Sequence, residues 1–524
     1  MLLQFREMAL LGQEQPVILH PIHAHRVSSC DKCTCYVPCL QLLLIVWVGD
    51  VTINILPDNV LLHIFLFDGL EYWHRGVIFH SPGQGCTDRL GRLTWTWHRL
   101  AHVCSRWRSI IFGSPNFLDL RLVCRPHTRV GLTRIWPPLP IIISNAFEGI
   151  FPGDYDFDDA IVHPNRVREI SLSVTSPQLQ RLVPVMQKQF PALIHLMLRS
   201  TASDGSPALP DGFLGGSAPR LQSFWLGSIP FPALPKFLLS ATDLVYLTLF
   251  QMPHSGYISP EAIVTCMAVM ASLKSLFINF QSPLSRPDRE RRRLPPPIRT
   301  VLPALTRFHF EGVSEYMEDF MARIDAPLLD SIRVAFFPQL IFEIPQLAQF
   351  MRRTTGLQVL DEMYMNFKTF GVDVGYSPPS DTDRKSRLRI ICNESDWQLS
   401  SLTQVLTPFF PSTHTLEHLY MYETYSPPQW RDDIEGEQWL EFFEPFTFVQ
   451  NLYLSKSVAP QVARALQELV GSGMTEVLPA LHNMFLEGHQ LSGPLLEGIG
   501  KFVAARQLSD HPITVSLWEN RIKV

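Results

Sequence analysis

The residue types best suited to chemistry cluster near the start of the chain, where four cysteines follow three histidines. Thiolate and imidazole groups are the ligands that Zn²⁺ prefers, so one zinc site is a possible reading of this segment. The spacing completes no paired-knuckle pattern, and the alternative is an unstructured cysteine-rich leader. Both readings stay open, and no residue is assigned as a metal ligand. The residues are Cys30, Cys33, Cys35, Cys39, His20, His23 and His25.

Motifs that support catalysis are missing from the rest of the sequence. Asp154, Asp156 and Asp158 alternate as in a calcium loop, but Asp159 stands where that loop needs glycine and Asn165 where it needs glutamate. The sequence contains no phosphate-binding loop, no Gly-x-Ser-x-Gly elbow and no His-Glu-x-x-His pair. We therefore expect neither an enzyme nor a cofactor.

The composition disfavours several classes of partner and compartment. The chain has 524 residues, of which 46% are hydrophobic, so it has room for two or more globular domains. A net charge of −5 provides no broad basic field, which disfavours nucleic-acid binding. The nine cysteines, odd in number and mostly scattered, form no disulfide framework, which favours a reducing compartment, cytoplasmic and/or nuclear. The apolar run 37–48 is shorter than the roughly 20 residues of a membrane helix, so no membrane association or secretory route is expected.

A helix of three turns or fewer is predicted from Asp58 onward. Pro57 fixes its own φ and lacks an N–H, which suits the first turn of a helix, and Asp58 suits the positive end of the helix dipole. Apolar residues then recur three and four positions apart and form one stripe. The stripe consists of Val60, Leu61, Ile64 and Phe65.

A second amphipathic helix is predicted about 40 residues further on. Its apolar stripe consists of Leu100, Val103, Cys104, Trp107, Ile110 and Ile111. Both helices are near or below the roughly 12–15 residues at which an isolated helix becomes marginal in water, so each requires a packing partner. Periodicity alone leaves open whether they bind another protein or cap the larger domain that follows.

The order of these residue types resembles an F-box. The resemblance rests on the Leu-Pro-Asp start at 56–58, the Val-Cys-x-x-Trp-Arg segment at 103–108 and the closing Gly-Ser-Pro at 113–115. The segment 76–94 departs from the family, because it is glycine-rich and longer than the usual connector. The closing motif and the repeats described below are similar to the expanded F-box families of mushroom-forming (basidiomycete) fungi.

The F-box resemblance implies a helical hook that docks on the Skp adaptor of a cullin ubiquitin ligase. A protein of this kind presents substrates and does not transform them. The adaptor-binding residues that the resemblance implies are Leu56, Pro57, Leu61, Ile64, Phe65, Val103 and Trp107.

One six-residue frame, apolar-x-x-apolar-x-apolar, recurs ten times in the remaining chain. The copies begin at Val167, Leu193, Leu221, Leu244, Leu273, Leu305, Leu329, Leu416, Val449 and Leu481. The long gap between the seventh and eighth copies divides evenly if degenerate copies begin at Leu357 and Leu388. Each frame predicts a short strand, and stretches with helical apolar spacing lie between the frames.

The strand–helix units resemble a leucine-rich-repeat solenoid, although the Asn/Cys position of that repeat is mostly missing. One unit cannot bury its apolar face alone, so neighbouring units stack. The predicted fold class is α/β: a small helical F-box, then a leucine-rich-repeat-like solenoid with a parallel sheet on its concave side. The alternative is an ordinary α/β domain with buried parallel strands.

The predicted domain organisation has four parts. Residues 1–50 form an uncertain leader, and 51–120 form the F-box with its insert at 76–94. Residues 121–164 form a linker or first cap, and 165–524 form the solenoid.

The fifth position of each frame lies between two buried positions and should face the open side of the sheet. Half of the residues there are aromatic, and exposed aromatic side chains are good anchors for a protein partner. The competing possibility is that loops or the C-terminal segment cover them. The predicted substrate-binding residues are Trp225, Phe277, Tyr420, Tyr453 and Phe485.

The sequence thus predicts a substrate-recognition subunit of a Skp–cullin–F-box ligase. Its expected partners are a Skp-type adaptor and an unknown protein substrate. The alternative is a leucine-rich-repeat scaffold that binds proteins without a ligase.

Overall fold

The structure is a computed structural model that describes residues 56–73, 100–114, 122–124, 139–145, 161, 163–202, 205–287, 298–354, 357, 361–376, 385–392, 395–410, 413–423, 436–468, 477–488 and 493–519. The predicted leader 1–50 with its cysteine cluster and apolar run, and the insert 76–94, lie outside these residues. The chain divides into two compact units, Met1–Arg75 and Gly76–Val524. The division falls within the range 51–120 predicted as one F-box domain, so its two helical segments are described separately.

In the first unit, α1 spans Asp58–Trp73. Pro57 precedes it as predicted, and its carbonyl accepts hydrogen bonds from the N–H groups of Val60 and Leu61. The prediction of three turns or fewer is wrong, because the helix has 16 residues. No proline interrupts residues 58–73, so the backbone ladder continues past the apolar stripe that marked the helix in the sequence.

In the second unit, the predicted helix over Leu100–Ile111 is divided. Leu100 and Ala101 are helical, the chain then turns, and α2 spans Ser105–Gly113. Cys104 is the N-cap of α2: its backbone is extended, and its Sγ accepts a hydrogen bond from the N–H of Trp107 at 3.4 Å. The single-helix prediction failed because the apolar spacing continues unchanged across a cap.

The remainder of the second unit is a mixed α/β fold built on a large, mostly parallel sheet. Its strands in chain order are β1 Leu122–Cys124, β2 Ile141–Ser144, β3 Val167–Val174, β4 His195–Ser200, β5 Ser223–Gly227, β6 Tyr246–Met252, β7 Ser275–Phe280, β8 Thr300–Val301, β9 Arg307–Gly312, β10 Ile324–Asp325, β11 Ser331–Phe336, β12 Glu362–Lys368, β13 Gly371–Gly375, β14 Lys385–Ile390, β15 His418–Glu423, β16 Asn451–Leu454, β17 Asn483–Glu487 and β18 Thr514–Trp518. All belong to one 16-stranded sheet except β8 and β10, which pair with each other. Strands β1 and β2 show that the sheet begins within the range 121–164, ahead of the predicted start at 165.

Helices alternate with these strands and pack on their neighbours in chain order. They are α3 Ser176–Val185, α4 Leu234–Leu238, α5 Pro260–Met267, α6 Ser314–Met321, α7 Pro345–Arg353, α8 Ser395–Phe409, α9 Gly436–Phe443, α10 Ala459–Glu468 and α11 Gly493–Leu508. Consecutive helices contact one another from α4 to α11. The strand–helix alternation that the frames predict is therefore present.

The first, fourth and sixth residues of all ten frames are buried. They belong to one hydrophobic cluster that also contains the inward side chains of the helices. In the third and fourth strands, for example, Ile170 pairs with Leu196 and Leu172 with Leu198. The fourth and sixth frame residues point towards the helices. Because side chains alternate along a strand, the third and fifth residues point away from the helices, and the second lies towards the strand end.

The strictly parallel sheet of the prediction is interrupted between β11 and β15. The spatial order there is β11-β14-β13-β12-β15. Strand β12 is therefore separated from β11 by two strands, and the chain returns towards β11 through β13 and β14. Strands β12 and β13 form an antiparallel hairpin, and β14 occupies the place beside β11. Only the two residues 369 and 370 connect the hairpin, a connection that is possible between antiparallel strands and too short for parallel ones.

Gly371 starts the returning strand of this hairpin. Its φ of 141° is in the region that favours glycine, and an added Cβ would collide with the carbonyl oxygen of Ile390. Two residues further along the same strand, the Asp373 carboxylate accepts from Lys368 Nζ at 2.6 Å and from Arg389 Nε at 2.9 Å. The side chains therefore connect all three strands of the interruption.

The two degenerate frames are misaligned in the prediction. The copy assigned to Leu357 is three residues too early, since β12 begins at Glu362 and buries Met363 and Met365. The copy assigned to Leu388 is five residues too late, because Leu388 pairs with Val334, the sixth residue of its frame. Even division of a gap assumes uniform repeats, whereas this gap contains an extra strand.

A buried carboxylate links two successive helices. Glu318 on α6 accepts hydrogen bonds from the N–H groups of Gln346 and Leu347, both at 2.8 Å, in the first turn of α7. These N–H groups have no partner within their own helix, so a neighbouring side chain caps α7. The contact fixes α7 relative to the helix before it.

We predict that Glu318→Gln lowers the free energy of unfolding by about 1–3 kcal/mol. The substitution replaces one of the two carboxylate oxygens, each of which accepts a backbone N–H, by an NH₂ group that cannot accept a hydrogen bond. Urea unfolding of the full chain measures the change. The matched control is Glu441→Gln, which removes the charge of an exposed glutamate on α9 and should change stability by less than about 0.5 kcal/mol. Equal effects of the two substitutions would contradict the capping role.

Candidate protein-interaction face

The side of the sheet opposite the helices carries the predicted fifth-position residues, and we call it the open face. The parallel register places these residues beside one another from strand to strand, for example Met197 beside Trp225 and Tyr453 beside Phe485. All ten fifth-position residues are partly exposed, and none is buried. The prediction that they face away from the core is confirmed.

The first aromatic group on the open face lies on strands β5, β6, β7 and β9, and we call it the first ladder. Trp225 stacks on Phe250 with 5.6 Å between ring centroids, and Phe250 lies 6.1 Å from Phe277. Phe277 then contacts the imidazole of His309 at 4.2 Å. At the other end, the guanidinium of Arg199 lies 5.7 Å from the Phe250 ring centroid. The rings cover part of one another's faces, and each ring remains partly exposed.

A second ladder of nearly parallel rings occupies strands β12, β15, β16 and β17. The centroid distances are 4.5 Å from Tyr364 to Tyr420, 4.1 Å from Tyr420 to Tyr453 and 4.4 Å from Tyr453 to Phe485. Trp518 from the last strand packs its edge towards Tyr453 at 5.5 Å. Together with Leu517 and Glu519, these rings line an open groove.

Tyr364 and Tyr420 of the second ladder are neutral hydrogen-bonding groups. Burial, followed by the hydrogen bond with Glu362, raises the pKa of Tyr364, and burial followed by the neighbouring Tyr453 raises the pKa of Tyr420. The hydroxyl of Tyr364 donates to the Glu362 carboxylate at 2.8 Å. The groove is therefore lined by aromatic rings, and the Tyr364 hydroxyl is already engaged by Glu362.

Charged residues separate the two ladders. Strands β11, β14 and β13 contribute Arg333, Arg387, Arg389 and Asp373 to the open face. Asp373 pairs with Arg389 and is only 17% exposed. The hairpin interruption thus places a polar segment in the middle of an otherwise aromatic face.

The charged residues of this polar segment affect the pKa of His309. Burial lowers its pKa to about 3, and Arg333, Arg389 and Arg387 lower it further in that order of effect. The imidazole is therefore neutral at physiological pH and acts as the last ring of the first ladder. Three cations within electrostatic reach of one imidazole indicate a positive potential at this part of the face.

The structure divides the five predicted substrate-binding residues between the two ladders. Trp225 and Phe277 lie in the first, whereas Tyr420, Tyr453 and Phe485 lie in the second. Six strand spacings separate Phe277 from Tyr420, which is about 29 Å along the sheet.

Sequence reasoning missed three ring members of the ladders: Phe250, Tyr364 and Trp518. Tyr364 is the fifth residue of the correctly aligned β12 frame, so the right register would have found it. Phe250 and Trp518 stand two positions after the fifth residue's place on their strands, and the frame gave them no role. The alternative that loops or the C-terminal segment cover this face applies at one place, because Trp518 from the C-terminal segment contacts the second ladder.

The seven residues implied as adaptor contacts differ in exposure. Val103 is 59% exposed, Pro57 is exposed and Leu56 is partly exposed. The other four are buried: Leu61, Ile64, Phe65 and Trp107. A buried side chain joins an interface only if binding rearranges its surroundings.

The described residues include neither a cluster of metal ligands nor a membrane-spanning helix. No group of three or more His, Cys, Asp or Glu side chains there is arranged to hold a metal ion. None of the helices in the described part of the chain combines the length and apolar content needed to cross a bilayer.

Comparison with known proteins adds little to the geometry. No protein-family model matches the chain, and no curated protein matches it. Among solved structures, the chain is similar to the leucine-rich repeat-containing protein LegL7 from Legionella pneumophila, with 12% sequence identity. That similarity covers 73% of this chain and 97% of LegL7, with a TM-score of 0.26. A TM-score of that size identifies no function, so the functional argument rests on the open face.

We predict that His309→Gln reduces the loss of stability on acidification. In the unfolded chain a histidine binds a proton below about pH 6.5, whereas folded His309, with a pKa of about 3, does not. The native state therefore loses stability as the pH falls from about 6.5 towards 3, by about 1–2 kcal/mol at pH 5. Urea unfolding at pH 7.5 and pH 5 tests this difference. The exposed His254→Gln is the control, and an unchanged pH dependence in the His309 variant would refute the prediction.

Proposed function

We propose that this chain is the substrate-recognition subunit of a Skp–cullin–F-box ubiquitin ligase. Its F-box-like segments would dock on a Skp-type adaptor, while the open face of the sheet would hold a target protein. The chain would contribute proximity and no chemistry of its own. Holding a target near the ubiquitin-charged enzyme raises the effective concentration of the reacting groups.

The observation that carries the binding role is the pair of aromatic ladders on one sheet face, in which every ring except that of Tyr364 is partly exposed. Aromatic rings bury a large area for few rotatable bonds, so they are efficient anchors in protein interfaces. Stacking of the second ladder, with 4.1–4.5 Å between successive ring centroids, holds its rings in place before a partner arrives. A preorganised surface loses less conformational entropy on binding.

We propose that the strand–helix units form a leucine-rich-repeat-like solenoid with the open face on its concave side. The parallel register of successive strands and the contacts between successive helices support this architecture. An extended inner surface of this kind is what repeat proteins use to bind large partners.

The adaptor-binding half of the proposal rests on the F-box-like sequence. Of the seven residues implied as adaptor contacts, Leu56, Pro57 and Val103 are accessible enough to contact an adaptor directly. We assign them the contact role. The buried Phe65 and Trp107, each 4% exposed, would instead hold the helices in the shape that presents those contacts.

The second candidate is a protein-binding scaffold without a ligase. The burial of four of the seven implied contacts favours it, because an adaptor normally engages side chains that are already accessible. The open face would serve either protein equally. Only adaptor binding separates the two.

We predict that the full chain, co-expressed with a Skp-type adaptor, forms a complex that survives size-exclusion chromatography. Changing Leu56 and Pro57 together to Ala should weaken it at least about tenfold, since two accessible contacts are lost. Leu508→Ala is the control, as it removes a 90% exposed leucine far along the chain and should have no effect. The ligase proposal fails if adaptors form no complex with the unaltered chain, and the scaffold then stands.

We predict that the triple substitution of Tyr420, Tyr453 and Phe485 by Ala removes most proteins that co-purify with the chain, while adaptor binding persists. Quantitative mass spectrometry of tagged chains from one expression host measures this loss. The control is Phe448→Ala, which removes a 57% exposed aromatic ring outside the ladders. An unchanged set of co-purifying proteins, from a variant with unchanged circular dichroism, would exclude the second ladder as the target surface.

A further inference from the structure

Strand β18 is the last strand of the large sheet, and only one of its edges has a strand beside it among the described residues. That neighbour is β17, which runs parallel to it. The outer edge of such a strand presents N–H and C=O groups with which another strand can pair. Natural proteins usually protect an edge with charged side chains, proline or a bulge. The β18 sequence, Thr-Val-Ser-Leu-Trp, contains neither a charged residue nor proline, so its edge is suited to pairing.

The apolar core is open at this end of the sheet. Val515 is in register with Met484 and Leu517 with Leu486, so their side chains continue the two core rows of the fourth and sixth frame positions. Met484 and Leu486 are buried, whereas Val515 is 39% and Leu517 is 57% exposed. The end of a repeat array normally has a polar outer face. An apolar end instead favours contact with another apolar surface, because the contact removes apolar area from water.

The backbone direction decides which groups lie on the outer edge of β18. The N–H of Thr514 donates to the carbonyl oxygen of His482 at 2.8 Å, so Thr514 directs its backbone groups towards β17. Successive residues of a strand direct these groups to opposite edges, so those of Val515 and Leu517 point away from β17. The two residues with exposed apolar side chains are therefore also the two whose backbone can pair with a further strand.

The strand is complementary to itself. In an antiparallel pair of two β18 strands about a two-fold axis at Ser516, Val515 of each copy lies opposite Leu517 of the other. Each such pair exchanges both backbone hydrogen bonds, because the outward groups of Val515 and Leu517 face each other. Directly opposed residues also share a face of the sheet, so these apolar side chains meet on the helix side and cover one another.

We infer that β18 pairs with β18 of a second copy of this chain, antiparallel about a two-fold axis at Ser516, which joins the two sheets and covers the open core of each. A strand that matches itself in apolar spacing and in backbone register needs no other protein to complete it. A two-fold contact uses the same surface on both copies, so the assembly closes as a dimer. The inference does not depend on the ligase proposal.

Pairing of this kind would bring the second ladders of the two copies close together. A two-fold axis that relates antiparallel strands of one sheet is perpendicular to the sheet, so both open faces lie on the same side. Phe485 on β17 is the ladder ring next to β18 on the strand order. Three strand spacings, about 14 Å, would separate the two copies of Phe485. A target with two matching segments would then engage both faces at once and bind more tightly.

The test is the mass of the full chain in solution, measured by analytical ultracentrifugation over about 0.1–50 μM. We expect the mass to rise with concentration from the 59.8 kDa of one chain towards twice that value. Hydrogen exchange of the Val515 and Leu517 amides should slow over the same range, because pairing protects their N–H groups.

Two double variants locate the contact and its direction. Val515→Lys with Leu517→Lys places like charges opposite each other and should weaken association at least about tenfold. Val515→Lys with Leu517→Glu places unlike charges opposite each other and should associate about tenfold more tightly than the double-lysine variant. This recovery requires residue 515 of one copy to lie opposite residue 517 of the other.

The matched control is Val269→Lys with Leu328→Lys. These residues are a valine and a leucine in turns elsewhere in the chain, 42% and 60% exposed, so the control adds the same charge to side chains of similar exposure. It should leave association unchanged. Circular dichroism of each variant checks that the fold is retained.

Three results would overturn the inference. They are a single-chain mass at every concentration, association that the double-lysine variant does not weaken, and no recovery in the lysine–glutamate variant. A single-chain mass with slow exchange of the Val515 and Leu517 amides would mean that another segment of this chain covers the edge. The mass measurement needs no variant, so it decides the question even if a substitution impairs folding.

Discussion

Each strand of the large sheet has an apolar side that it can bury only with the help of its neighbours and the adjoining helices. The first, fourth and sixth residues of every frame meet this need in one continuous core. A slip of one residue between two strands would turn all three of these side chains to the opposite side. Hydrophobic burial therefore fixes the register along nearly the whole array, and the other features of the molecule follow from that fixed register.

Fixed register aligns the side chains that do not enter the core. Because every strand presents its fifth residue at the same height, rings on neighbouring strands come within stacking distance, as Tyr420 and Tyr453 do at 4.1 Å. The same alignment brings cations together where the strands carry arginine. A face organised in this way has functional groups at intervals of one strand spacing, which suits an extended partner lying across the strands.

The hairpin of β12 and β13 changes this regular face at one place. It inserts an antiparallel strand whose outward residues are Asp373 and Gly375, with no ring at either position. Together with Arg333 on β11 and Arg387 on β14, this strand divides the aromatic row into two ladders with a charged interval between them. Gly371 permits the close approach to β14, and the ion pairs of Asp373 connect the hairpin to its neighbours. The interruption thus places charged side chains in the middle of a face that carries aromatic rings on either side.

Four of the seven implied adaptor contacts are buried, whereas the ten fifth-position residues of the open face are all partly exposed. In the F-box-like helices, four of the apolar residues that produce the sequence resemblance, Leu61, Ile64, Phe65 and Trp107, are buried in the folded chain. A recognition pattern read from apolar spacing cannot separate residues that pack inside a protein from residues that await a partner. The exposed Val103 and the exposed start of the first helix are the parts of the pattern that packing does not explain.

The sequence by itself determined the repeating strand–helix plan, the burial of three positions in each of the ten frames and the outward direction of the fifth. These are local consequences of a two-residue and a 3.6-residue periodicity, which any window of the chain contains. It did not determine the order β11-β14-β13-β12-β15, the alignment of the frames near Leu357 and Leu388, or the cap at Cys104 that divides the second helical segment. Only the tertiary structure decided these, because strand order and helix breaks depend on which distant segment satisfies a backbone group. The division of the aromatic face and the grouping of Arg333 with Arg387 depend on that strand order, so they too could be known only from the folded chain.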